Sequence, residues 1–440
     1  MIHRDLEDKI FPWLHQNKII ILKGARQVGK TTLLRSIQKK LETEGQIVHY
    51  IAADLDFADP AFGDPRLFIL RLDDFFGGKT GFVLIDEFQT IPNAGLFLKT
   101  IYDQRHEKYR FLVTGSSSLE LTKNSEYLTG RKIEFILRPF SFREYLRAKA
   151  SDIPDRTIDP RDTSSLQPFV ELYGSRLRAL FAEYLKFGGY PEPVLAPLEL
   201  RVPLLKELLS TYIRKDVAGF LRVENITAFN NLVRLLSGQI GSQVNRSELA
   251  NTLRINQETV NRYLDILEGT FVFHLLRPWF TNPRKEVSKM PKVYFTDPGF
   301  LLATGIATPE VIPYDLLDGH VVENALWITL TNQFGVDTLR YWRSSSGAEI
   351  DFIVEGNGVL LPIEVKFSKV KPVDPVAIRN FRNLYPKTQL SVLISKDQLE
   401  VPVRGQGPSR TSPTPLVLPA YLVDIVQWDL LFSERLETSL

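Results

Sequence analysis

The stretch Lys18–Thr32, K-I-I-I-L-K-G-A-R-Q-V-G-K-T-T, decides how the first third of the chain folds. Ile19-Ile20-Ile21-Leu22 is a short continuous apolar run, the pattern of a parallel strand buried on both faces. It leads into Gly24 and Gly29, spaced by four free positions. Lys30, Thr31 and Thr32 follow before Leu33-Leu34 open a helical pattern. Strand, glycine loop and helix in that order make a phosphate-binding loop, G-x-x-x-x-G-K-[ST]. The glycines let the backbone wrap close to a polyphosphate and aim N–H groups at it, and the helix start adds the positive end of its dipole. The expected nucleotide-binding set is Gly24, Ala25, Gln27, Val28, Gly29, Lys30, Thr31 and Thr32. Lys30 supplies a point charge for the β- and γ-phosphates, and the Thr31 hydroxyl can ligate Mg²⁺. ATP and Mg²⁺ are therefore the expected cofactors.

Composition sets the frame around this loop. A chain of 440 residues is expected to hold about two to four domains. A net charge of +2 gives no bulk argument for nucleic acid, so any DNA-binding surface must be a local patch. The absence of cysteine excludes disulfides, thiolate zinc sites and a cysteine nucleophile. The six histidines are scattered without ligand spacing, which argues against a histidine-rich metal site. The N-terminus carries acids and lacks the apolar region of a signal peptide, and no apolar run approaches membrane-spanning length. A cytoplasmic protein without a membrane partner is expected.

Residues 1–150 alternate short apolar runs with helical periodicity, as an α/β layer fold does. Gly81-Phe82-Val83-Leu84-Ile85 ends in Asp86-Glu87. Ligands of open α/β sheets bind beyond the strand ends, so Asp86 is placed to hold Mg²⁺ through water and Glu87 to orient the attacking water. The strand Arg110–Val113 ends in Thr114-Gly115-Ser116, and either Thr114 or Ser116 could sense the γ-phosphate. An arginine that stabilises the transferring phosphoryl group accelerates such reactions about 10³–10⁵-fold. Arg131, in L-T-G-R, is the candidate, for its own site or a neighbouring subunit's; Arg138 and Arg143 are rivals.

The ordered set G-A-R-Q-V-G-K-T, F-V-L-I-D-E-F-Q, F-L-V-T-G-S-S-S, L-T-G-R and R-P-F-S-F-R-E-Y resembles a little-characterised group of archaeal and bacterial AAA+-type ATPases with a C-terminal domain related to restriction endonucleases. F-G-G-Y-P at 187–191 and Y-I-R-K-D-V at 212–217 extend the likeness. The resemblance implies a five-stranded parallel sheet with the P-loop and acidic strands adjacent, and assembly into homo-oligomers.

Residues 151–218 read as a polar linker followed by a helical lid, and 219–315 as a winged-helix-like domain with a basic connector. In Ser247–Leu267, Leu249, Ala250 and Leu253 form one inner face. Val260, Tyr263, Leu264 and Leu267 form a second, and Asn256 can cap the second helix. Its outer face, Gln257, Glu258, Asn261, Arg262 and Asp265, is nearly neutral and suits either DNA or a protein partner. Arg277, Arg284, Lys285, Lys289 and Lys292, with Trp279 and Phe280 among them, form a basic stretch that could stack on bases.

In the last region, 316–440, two strands are joined by Glu355-Gly356-Asn357-Gly358, and Asn-Gly is the preferred pair of a two-residue type I′ turn. Gly356 then pairs with Val359, and Asp351 comes opposite Glu364. Lys366, two residues on, points to the same face. Two acids and a lysine so placed form a Mg²⁺ site suited to phosphodiester hydrolysis. The arrangement resembles the PD-(D/E)xK nuclease fold, whose helix glutamate would be Glu323, on the helical stretch His320–Leu330. The resemblance makes Glu323, Asp351 and Glu364 metal ligands, although many relatives keep that fold only as a binding platform. The expected protein is thus an α/β multidomain chain: an AAA+-type parallel sheet with helical lid, a winged-helix-like middle and a restriction-endonuclease-like C-terminal domain. It would couple ATP hydrolysis to DNA processing, or act as a nucleotide-gated scaffold through protein partners.

Overall fold

Five apolar segments of the first third become one sheet: Ile19–Lys23 (β1), Val48–Ala52 (β2), Gly81–Asp86 (β3), Tyr109–Gly115 (β4) and Lys132–Ile136 (β5). The computed structural model describes residues 2–55, 59–115, 128–213, 217, 223–280, 289–305, 313–388, 390–402 and 414–432. The strand order is β2-β3-β4-β1-β5 and every pairing is parallel. The acidic strand is therefore not beside the P-loop strand, contrary to expectation. β4 lies between them, with Leu22 opposite Thr114 on one side and Ile85 opposite Val113 on the other. This insertion puts a hydroxyl-bearing strand end between the phosphate loop and the acids.

Because side chains alternate along a strand, each face of the sheet gathers its own core. Ile20, Leu22, Leu84 and Leu112 pack with Leu33, Leu34, Ile37 and Leu41 of the helix Lys30–Thr43. Ile21, Val83, Ile85 and Phe111 pack with the helices Pro65–Phe76 and Ala94–Arg105.

The helix Thr163–Phe187 ends at Gly188, and the next turn ties three parts of the molecule together. Gly189 exchanges backbone contact with Phe140, whose N–H donates to its carbonyl at 2.7 Å. A Cβ at Gly189 would lie 2.0 Å from the Phe140 carbonyl oxygen, so the approach requires glycine. The Gly189 N–H in turn donates to buried Asp297 at 2.6 Å. F-G-G-Y-P is thus a structural junction.

Arg246–Leu253 and Gln257–Gly269 form two helices around a turn in which Arg254 is left-handed. Asn256 caps the second helix by accepting from the Thr259 N–H at 2.6 Å. Leu249, Ala250, Val260, Tyr263, Leu264 and Leu267 are all buried, in the same core that covers one face of the P-loop sheet. Phe273–Leu276 (β6) and Lys292–Phe295 (β7) follow as an antiparallel pair.

The last region holds a second sheet of Leu339–Arg343 (β8), Glu349–Gly356 (β9), Val359–Lys366 (β10), Val392–Ser395 (β11) and Leu416–Pro419 (β12). Its order is β12-β11-β10-β9-β8. The helix Gly319–Phe334 packs on one face and Val376–Leu384 on the other. Asn357 and Gly358 have φ of 50° and 75°, and Val359 pairs with Gly356 as the turn chemistry requires. The ladder holds that register to Ile363 opposite Phe352. One step further the Asp351 carboxylate replaces the ladder, accepting from the Val365 N–H at 2.9 Å. Among the described residues no helix is long and apolar enough to cross a membrane.

Candidate functional site

The phosphate loop is shaped by its backbone. Gln27 and Gly29 have φ of 61° and 96°, and Gly29 caps the helix Lys30–Thr43, whose first turn leaves Thr31 and Thr32 exposed. At Gly24 a Cβ would stand 2.2 Å from the Leu137 carbonyl oxygen, so only glycine lets the loop leave β1 alongside the chain that follows β5. The Lys30 ammonium folds back over the loop, donating to the carbonyls of Gly24 at 2.9 Å and Ala25 at 2.8 Å. It is buried and already centred on the loop that would hold phosphates.

Arg4, from outside the P-loop sheet, braces this loop. Its Nη1 donates to the Val28 carbonyl at 2.9 Å and its Nη2 to the Arg138 carbonyl at 2.6 Å, while Nε lies 3.0 Å from Glu144 Oε1. Its guanidinium carbon sits 4.8 Å from the Phe140 ring centre. Both members of the ion pair are buried. Removing one member of a buried pair costs about 3–5 kcal/mol, so Arg4→Ala is expected to lower unfolding free energy by that order. It should also weaken ATP binding, because the Val28 carbonyl loses its anchor; chemical denaturation and a nucleotide titration on the same variant measure both effects. No local sequence signal marks Arg4, since its partners lie far along the chain.

The acids sit as the strand ends suggest, with more protein partners than the sequence shows. Asp86 Oδ1 accepts from the Thr114 hydroxyl and from the Glu87 N–H at 3.2 Å, and Oδ2 accepts from the Tyr50 hydroxyl at 2.9 Å. Thr114 also accepts from the Glu87 N–H, at 3.1 Å, so one hydroxyl bridges the two acidic positions. Burial, and then the Asp86 charge, push the Tyr50 hydroxyl up to about 12. Glu87 has a left-handed φ of 51°, and its Oε2 accepts from the Gln89 amide at 2.5 Å. Tyr50 and Gln89 were not singled out in the sequence; a polar side chain on the strand beside β3 was the available signal for Tyr50. Thr31 is exposed at the helix start and Asp86 is buried at the strand end, and both carry oxygen donors of the kind Mg²⁺ takes. Ser116 lies outside the described residues.

Arg131 is corrected as a residue of its own chain's phosphate site. It precedes β5, its carbonyl accepting from the Ile19 N–H at 2.8 Å, and so stands at the edge where the parallel strands begin. The P-loop is at the opposite edge. The Arg131 side chain is held by Asp103, with Nε 2.7 Å from Oδ1. Arg143 is 2.8 Å from Asp155, and Arg138 donates to Asn332 Oδ1 at 3.3 Å.

The C-terminal residues converge, but around an unforeseen cation. Glu323 is buried on the helix Gly319–Phe334, Glu364 is buried on β10, and exposed Lys366 is 2.7 Å from Glu364 Oε1. Lys292 was expected in an exposed basic stretch; it is 1% exposed, and its Nζ lies 3.0 Å from Glu323 Oε1 and 3.2 Å from Asp351 Oδ1. Glu349, which sequence reasoning missed, is 2.7 Å from the same nitrogen. Among the described residues no group of three or more acids and histidines is arranged to hold a metal ion. With the Lys292 ammonium between Glu323 and Asp351, and Lys366 on Glu364, these acids do not fit Mg²⁺ as they stand. Trp279 is also corrected: its backbone N–H donates to the Tyr341 carbonyl, and its ring packs edge-on against Tyr385 with ring centres 6.2 Å apart, so the ring is engaged within the C-terminal core. Arg284 and Lys285 lie outside the described residues.

Comparison with known proteins divides the chain into three parts. Residues 16–146 match the family model described as an AAA domain. Residues 178–310 and 318–410 match two domains of unknown function, DUF8612 and DUF4143. An uncharacterised protein of Mycobacterium tuberculosis is 27% identical over 397 residues, covering 89% of this chain and 78% of that one. An uncharacterised protein of Methanocaldococcus jannaschii is 25% identical over 372 residues, covering 81% and 75%. Among solved structures, AMPPCP-bound DnaA from Aquifex aeolicus is 15% identical and covers 60% of this chain and 86% of that one. Its TM-score is 0.28, too low a match to say anything of activity. The first third of the chain is accordingly similar to AAA domains, and the chain is similar to bacterial and archaeal proteins.

Proposed function

We propose that the protein is a Mg²⁺-dependent ATPase whose nucleotide cycle acts on DNA through the middle and C-terminal domains. The observation that carries the ATPase reading is the shared hydroxyl of Thr114, which joins Asp86 to Glu87 at the strand ends beside the P-loop. Lys30 and the loop N–H groups would bind the phosphates. Mg²⁺, held by Thr31 and Asp86, would draw charge from the phosphate oxygens. Glu87 would orient and deprotonate the attacking water, with Gln89 fixing its carboxylate. Arg131, at the far edge of its own sheet, would act on this site only from another copy, which makes a homo-oligomer part of the proposal.

The DNA reading rests on the helix–turn–helix and the β6–β7 pair, a winged-helix-like arrangement. The nearly neutral outer face of Gln257–Gly269 favours a second reading, a nucleotide-gated scaffold for a protein partner. ATP turnover measured with and without single-stranded, branched and duplex DNA separates them. Several-fold stimulation by one DNA form supports the first reading; indifference to all of them, beside Mg²⁺-dependent ATP turnover, supports the second. No Mg²⁺-dependent turnover under any condition overturns both.

A further inference from the structure

β7 carries Lys292 out of the middle region and into the C-terminal domain. Its ammonium meets carboxylates from two separate elements: Glu323 on a helix, and Glu349 and Asp351 on β9. The strand around it is fixed. The Tyr294 hydroxyl donates to Glu323 Oε1 at 2.5 Å, and the Tyr294 ring stacks on Trp327 with planes 5° apart. The Phe295 N–H donates to Asn324 Oδ1 at 2.7 Å, and the Asn324 amide donates back to the Phe295 carbonyl at 3.2 Å.

The charge pattern is that of a cation site. Glu364 is buried, with Oε1 paired to exposed Lys366 and Oε2 without a hydrogen-bond partner among the described residues, and exposed Arg343 lies 2.9 Å from Glu349, so Lys292 is the buried cation among these acids. Carboxylates packed together in a low-dielectric setting need a compensating positive charge, and here a side chain provides it.

We propose that the resident cation of this acidic site is the Lys292 ammonium, standing where a divalent metal would stand, and that it keeps metal out while it sits among these acids. The C-terminal domain then serves as a socket that locks the middle hairpin, and its acids are not a phosphodiesterase centre while β7 is seated. This holds or fails on residues outside the AAA domain and does not rest on ATP hydrolysis.

Mn²⁺ binding to the nucleotide-free full chain, followed by electron paramagnetic resonance of free Mn²⁺, tests it. Wild type and Asp351→Asn are expected to bind Mn²⁺ equally. Lys292→Met, which keeps length and apolarity but leaves buried carboxylates uncompensated, is expected to gain one site per chain, at least about tenfold tighter than any in wild type. The added site should vanish in the double variant Lys292→Met/Asp351→Asn. A wild-type Mn²⁺ site lost in Asp351→Asn overturns the proposal, as does a folded Lys292→Met that gains none. Should Lys292→Met fail to fold, the comparison of wild type with Asp351→Asn decides alone: equal binding supports the ammonium as occupant, and a difference sinks it.

Discussion

Lys30→Ala is expected to lose measurable ATP binding. Two separate contributions disappear with the ammonium. The first is its charge-assisted contact with the phosphates, of a class worth about 1.5–3 kcal/mol, or roughly 10- to 150-fold in affinity. The second is preorganisation. Without nucleotide, Lys30 already ties together the carbonyls of Gly24 and Ala25, so its loss leaves both without that donor. A loop so loosened must be ordered again at the expense of binding energy. The nucleotide-free variant should therefore also melt earlier than wild type. A thermal scan with and without MgATP reads both effects: a lower midpoint without ligand, and no rise when ligand is added. A rise equal to that of wild type would show that phosphate is held elsewhere.

What could be read in advance follows the range over which each feature is encoded. The P-loop is set by residues within one turn of each other, so its spacing alone places Gly24, Gly29 and Lys30. The β9–β10 register is equally local, because Asn357-Gly358 leaves one way to close the turn. The order of a parallel sheet is different. Its neighbours are chosen by crossovers, and nothing in β1 or β3 says that β4 will lie between them. For Arg131 the choice between its own site and a neighbouring subunit's had a signal: a residue that precedes a parallel strand lies at the edge away from loops that follow the strands. Lys292 had no such signal. Its partners Glu323 and Asp351 are 31 and 59 residues away, and in sequence it looks like one more lysine of a basic run. Only the docking of β7 on the helix Gly319–Phe334 gives it a meaning.

Glu87→Gln is expected to keep ATP and lose its hydrolysis. The substitution preserves shape and removes the charge and basicity that a water-activating group needs. The backbone N–H of residue 87 keeps its bonds to Thr114 and Asp86, so the metal-holding side of the site should stay in place. Lys30 and the loop are untouched, and ATP affinity should stay within a few-fold of wild type. General-base catalysis contributes about 10²–10⁴-fold, and kcat should fall by that order. Gln89 sharpens the expectation, because its amide now donates to the Glu87 carboxylate at 2.5 Å. While that bond stands, one carboxylate oxygen is committed and the other is left to accept from water, which fixes the direction in which Glu87 can act. In the variant the Gln89 amide faces a side-chain amide that can still accept it, so the geometry survives and the loss is chemical. Single-turnover measurements with bound ATP isolate that step. Hydrolysis at the wild-type rate would remove Glu87 from the mechanism and leave water activation to another group near the Asp86–Thr114 pair.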